Sequence, residues 1–144
     1  MAQQSARRAA LLALRTWRTR SQLADSIIGS VLGEGRLGSS DRAFALELFY
    51  GVLRHLSLLD FWIGRLRTAA LEEELRDVLR LGLYQILLLG VSEHAAVYET
   101  VELASTRHRG LINGVLRSAT RQRDELNKEA IAQPLAVRES HPPF

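Results

Sequence analysis

Leu79-Arg80-Leu81-Gly82-Leu83-Tyr84-Gln85, Ala95-Ala96-Val97-Tyr98-Glu99-Thr100-Val101-Glu102-Leu103-Ala104 and Ile112-Asn113-Gly114-Val115-Leu116-Arg117 follow one another through the second half of the chain. Each reads as helix, and no stretch alternates with the period of two that a half-buried strand requires. The run from Leu71 to Leu89 opens on Glu72-Glu73-Glu74, acids that a helix N-terminus favours. From Leu81 onward it is apolar almost all round, which predicts the central helix of the fold. Ser92 is expected to cap a helix from Glu93 to about Thr106, and Gly110 to break the chain. A last helix is expected from Leu111 to about Leu126, with weaker helical character to Ile131. Pro134 and Ser140-His141-Pro142-Pro143-Phe144 read as extended or disordered.

Working back towards the N-terminus, the same periodicity predicts a first helix over Gln4 to Thr19. A second is capped by Ser21 and ends near Leu32. Gly33 to Gly38 is a loop, and Ser39-Ser40-Asp41 offers a hydroxyl cap and a first-turn acid for a third helix. That helix places Phe44, Ala45, Leu48, Phe49, Val52, Leu53 and Leu56 on one face. A fourth follows around Leu58 to Leu66. The expected fold class is all-α.

A chain of 144 residues, 47 % of them apolar, is long enough to bury the core of one domain. No segment reaches the ~18 consecutive apolar residues of a membrane span, because Gln85 interrupts the longest run, Leu81 to Val91. The N-terminus lacks a signal-peptide core, so a cytoplasmic location is expected. The absence of cysteine excludes disulfides and thiolate metal sites. Net charge is only +3, but residues 1–20 hold Arg7, Arg8, Arg15, Arg18 and Arg20 and no acid, an asymmetry that points to nucleic acid. Arginine abundance by itself also fits GC-rich codon usage.

Most chemical motifs dissolve on inspection. Gly33-Glu34-Gly35-Arg36-Leu37-Gly38 matches G-x-G-x-x-G, but a phosphate cradle needs a strand before it, and a helix precedes it here. His55, His94, His108 and His141 are scattered without metal-ligand spacing, so no metal is expected. Glu99 and Glu102 share a helix face and read as solvated. No serine stands in a nucleophile elbow. No catalytic residue is assigned. Gly51-Val52-Leu53-Arg54 and Gly114-Val115-Leu116-Arg117 form a four-residue repeat that chance explains. Asn113-Gly114 inside an apolar helix suggests close helix packing, with Asn113 satisfying a backbone group.

The first helix carries the strongest candidate site. At ~100° per residue, with Arg7 at zero, Arg18 falls near ~20°, Arg15 near ~80° and Arg8 near ~100°. Ala6, Ala9, Ala10, Ala13, Leu14 and Trp17 occupy the opposite side and are expected to face the core. A stripe of guanidiniums tracks a phosphate backbone well, since each pairs bidentately with phosphate oxygens. The same stripe also fits a solvated face with acidic partners elsewhere in the chain. Arg117 and Arg121, one turn apart on the last helix, extend the patch if the two helices adjoin.

Asp41-Arg42, Glu47-Leu48, Tyr50 to Arg54, Leu79 to Gln85, Ala95 to Ala104 and Ile112 to Arg117 together resemble the NusB-like domain of the RsmB (Sun/Fmu) family of 16S rRNA cytosine-5 methyltransferases. The resemblance implies a NusB-like helical bundle of two packed three-helix halves. It implies an RNA-binding domain over residues 1–139, with 140–144 the start of a linker to a missing catalytic domain. That domain binds S-adenosylmethionine and uses a pair of cysteines in full-length relatives. No cofactor and no enzymatic activity are therefore expected of this chain. Expected partners are RNA, foremost small-subunit rRNA, and the catalytic domain or a ribosomal protein. A free-standing NusB-type antitermination factor is the alternative, as is a protein-interaction module. Arg117, where NusB proteins usually carry an acid, Gly51 to Arg54 and the His-Pro-Pro tail favour the methyltransferase group.

Overall fold

The computed structural model describes residues 4–34 and 36–132, and the expectations for the Pro134 segment and the 140–144 linker lie outside them. Among these residues there are eight α-helices and no strand. They are α1 (Gln4–Thr19), α2 (Ala24–Glu34), α3 (Ser39–Arg54), α4 (Leu56–Leu66), α5 (Glu73–Leu83), α6 (Glu93–Val101), α7 (Arg109–Arg121) and α8 (Arg123–Ala132). A π-helical segment, Tyr84–Leu89, continues α5, and a 3-10 turn, Thr106–His108, leads into α7.

The helices form two groups. α1, α2 and α3 pack on one another, as do α5, α6 and α7. α1 and α4 both lie against α5, and α8 lies against α7. The all-helical expectation and its two three-helix halves hold. The central position of the Leu71–Leu89 run holds too: Val78, Leu79, Leu81, Leu83 and Ile86 are all fully buried. Trp62 of α4 is buried, and its indole N–H donates to the Leu126 carbonyl at 3.1 Å, fastening α8 to the core.

Two glycines set close approaches, Gly51 between the two groups and Gly82 within the second. A Cβ on Gly51 would lie 2.1 Å from Cζ of Tyr84, so the absence of a side chain there makes room for the ring. The Tyr84 hydroxyl then donates to Glu47 Oε1 at 2.7 Å. A Cβ on Gly82 would lie 2.7 Å from Leu116 Cδ2, so Gly82 sets the approach of α7 to α5. Gly114 behaves otherwise. It is exposed with open space around it, so it does not mediate close packing. Asn113 Oδ1 accepts from Arg117 Nε at 3.0 Å and serves a side chain, not a backbone group.

Several boundaries differ from the sequence reading. α2 begins at Ala24, three residues after Ser21. α3 begins at Ser39 itself, and the preceding Gly38 supplies a backbone carbonyl to Arg42 N–H at 2.9 Å without a hydroxyl cap. Ser92 likewise precedes α6 but accepts through its carbonyl, from Ala96 N–H at 2.8 Å. His55, with φ −113°, separates α3 from α4. α6 stops at Val101, and Gln122, with φ −105°, divides the expected last helix into α7 and α8. Gly90, with φ 77°, ends the π segment in the left-handed conformation that glycine adopts most readily.

Candidate nucleic-acid interface

The buried side of α1 carries Ala6, Arg7, Ala10, Leu11, Ala13 and Leu14. Alanines with no exposed surface let the helix sit close against its neighbours. Relative to the sequence reading, the core-facing arc is turned towards Arg7 and Leu11, and Ala9 and Trp17 are left half-buried. The expected stripe of four guanidiniums on one solvent face is therefore split.

Arg7 is only 3 % exposed. Its Nε donates to Gln85 Oε1 at 2.9 Å, and its guanidinium lies 5.2 Å from the centroid of the Phe44 ring. Burial lowers its pKa, partly opposed by the nearby Glu99 carboxylate. Gln85 in turn donates to Thr100 Oγ1 at 2.9 Å and to the Leu81 carbonyl at 3.0 Å. A buried arginine is tolerated here because every neighbour answers it: a carbonyl oxygen, a ring face and a carboxylate. Arg7 is thus withdrawn from any phosphate contact. Glu99, expected on a solvated face, is partly buried beside it.

Arg18 is committed as well. Its Nε and Nη2 each lie 2.9 Å from Asp77 Oδ2. Asp77 is 2 % exposed and also takes Arg80 Nη1 at 2.9 Å. Arg80 Nε reaches Asp60 Oδ1 at 2.8 Å, which ties α1, α4 and α5 into one network. Burial lowers the Arg80 pKa, but Asp60 and Asp77 outweigh it and the net shift is upward.

Arg8 and Arg15 are different. Neither makes an ion pair with a described residue. Seven residues apart, they sit two turns along the same face, ~10 Å from one another along the axis. Leu12 lies between them and is 53 % exposed. Arg8 and Leu12 line a shallow groove with Arg36 and Leu37 of the α2–α3 connection. Arg15 lines a second cleft with Arg107 and His108, ahead of α7. The sequence reading missed Arg36 and Arg107. Both stand in connections, where no periodicity marks a face.

Arg117 and Arg121 are exposed on α7, and Arg117 is held by Asn113. α1 meets α5 through Asp77 and Gln85, whereas α7 meets it through Gly82. α1 packs chiefly on α2, α3 and α5, and α7 on α4, α5, α6 and α8. Arg123 is taken up by Glu93 at 2.9 Å. Among the described residues, no group of histidine, aspartate and glutamate has the geometry to hold a metal ion. No helix among them is long and apolar enough to cross a membrane.

Comparison with known proteins agrees with this architecture. Residues 4–121 match the NusB family. A protein of Mycobacterium tuberculosis named as a methyltransferase is 42 % identical over 120 residues, covering 78 % of this chain and 26 % of that protein. Ribosomal RNA small subunit methyltransferase B of Erwinia tasmaniensis is 43 % identical over 100 residues, 65 % of this chain and 23 % of the relative. Its Escherichia coli counterpart is 44 % identical over 101 residues, 65 % and 24 % respectively. The chain spans about a quarter of the length of these relatives. With the match running from the start of α1 to the end of α7, the chain belongs to the NusB family.

Proposed function

We propose that this chain is a non-catalytic RNA-binding domain that helps an rRNA (cytosine-5) methyltransferase hold small-subunit rRNA in the cytoplasm. The observation that carries the reading is the outer face of α1, where Arg8 and Arg15 stand two turns apart with no acidic partner among the described residues. The relatives, ribosomal RNA small subunit methyltransferases, supply the substrate class. Arg36 and Arg107 flank this face, and Arg117 and Arg121 offer a second point of contact. Arg7 and Arg18 act indirectly, by fixing how α1 is turned. Methyl transfer and its S-adenosylmethionine belong, in this reading, to a catalytic domain and not to these helices.

Exposed Leu12, in the middle of the same face, favours a second reading: the face holds a protein, either a ribosomal protein or the catalytic domain. Titration into labelled single-stranded fragments of small-subunit rRNA at several salt concentrations separates the two. Saturable binding that weakens steeply with salt supports the RNA reading. Absence of binding at low salt leaves the protein reading.

A further inference from the structure

The cleft that holds Arg15 is bounded by α1, the start of α5 and the turn before α7, and encloses about 490 Å³. Its lining includes three buried core side chains, Leu75, Val78 and Leu103. Its rim carries two guanidiniums, Arg15 and Arg107, and two carboxylates, Glu72 and Glu74. None of these four makes an ion pair with a described residue. Nε of Arg15 is buried and has no hydrogen-bond partner there.

A phosphate suits the interior of this cleft poorly, because Glu72 and Glu74 repel it there. What fits is a body that offers acceptors on one edge and donors on another and can rest on apolar side chains, which describes an unstacked nucleobase. Among the four bases, guanine matches both halves of the rim. Its O6 and N7 accept from an arginine, and its N1–H and N2–H donate to a carboxylate. Uracil has no amino group, adenine has no carbonyl, and cytosine offers a single amino donor.

We propose that this cleft takes an unpaired guanine of the bound RNA, with Arg107 on its O6/N7 edge, Glu72 or Glu74 on its N1/N2 edge, and Arg15 left on the α1 side of the rim for the adjoining phosphate. The proposal rests on the RNA-binding reading above and adds base selectivity to it.

The test uses labelled single-stranded uridine oligomers carrying one central guanosine, inosine or adenosine, or none, titrated with the intact chain. The guanosine oligomer is expected to bind at least about fivefold more tightly than the all-uridine one. Inosine, which lacks the N2 amino group, should lose most of that gain. The Glu72→Gln, Glu74→Gln double variant is expected to bind the all-uridine oligomer more tightly, having shed two negative charges, yet to lose its preference for guanosine. Circular dichroism checks that the variant stays helical. Equal affinity for guanosine and uridine oligomers, or a preference that survives in the double variant, overturns the guanine site while RNA binding stands. No binding of any oligomer at low salt overturns both.

Discussion

Nε of Arg7 lies 2.9 Å from Oε1 of Gln85, joining residues 78 positions apart across the contact between α1 and the π segment after α5. That bond turns α1 so that Arg7 enters the core and Arg8, its neighbour in sequence, leaves it. Two adjacent arginines thus have opposite roles, and substitution separates them. Arg7→Ala leaves the Gln85 carbonyl buried without its donor, at a cost of about 1–3 kcal/mol. Arg8→Ala should leave the urea midpoint unchanged. Denaturation of the two variants side by side checks the contrast.

Asp77 receives both Arg18 and Arg80 while 2 % exposed. Asp77→Ala deprives two guanidiniums of their buried partner, leaving Arg80 with Asp60 at 2.8 Å and Arg18 with the more distant Glu73 at 3.9 Å. The expected loss is on the order of 3 kcal/mol. Because the aspartate is buried, the loss should persist at high salt. Unfolding in urea with and without added salt measures both.

The glycines divide by what surrounds them. Gly51→Ala and Gly82→Ala drive a methyl into Tyr84 and Leu116 and should each destabilise by about 1–3 kcal/mol. Gly114→Ala meets open space on a helix and should stabilise by about 0.5–1 kcal/mol. Thermal melts of the three variants should therefore move in opposite directions.

Much of this fold follows from periodicity alone. The apolar wheel of Leu81 to Ile86 marks the central helix, and the spacing of Phe49, Val52 and Leu53 marks the buried face of α3. The orientation of α1 does not follow in the same way. Counting alanines places Ala6, Ala10, Ala13 and Leu14 in the core correctly but adds Ala9 and Trp17 to them, whereas Gln85, Phe44 and Glu99 draw Arg7 inward from three other segments. Whether an arginine is free or neutralised depends on such distant partners: Arg15 and Arg18 stand one turn apart, yet only Arg18 finds an aspartate. Arg36 and Arg107 stayed hidden because loop positions carry no phase.

Tyr50 donates its hydroxyl to Asp25, and burial, then that bond, push its pKa from 10.0 up to about 12. The fold therefore favours the protonated phenol. Its contribution to stability is complete below pH 10 and is lost as pH rises through about 12. Tyr50→Phe has no proton to lose, so its stability should fall less steeply than that of the parent across this window. Urea unfolding at a series of alkaline pH values reads the difference.

In the proposed function, Arg8 and Arg15 hold RNA phosphates while Arg18 holds the fold. The most direct measurement is the slope of log affinity against log salt for a single-stranded small-subunit rRNA fragment, in the parent, in Arg8→Ala, Arg15→Ala and in Arg18→Ala. Loss of two phosphate contacts should reduce the magnitude of the slope by roughly 1.4 in the double variant and weaken binding across RNA sequences. Folded Arg18→Ala should retain the parent slope. A double variant with the affinity and slope of the parent would contradict the assignment of α1 as the RNA-binding face.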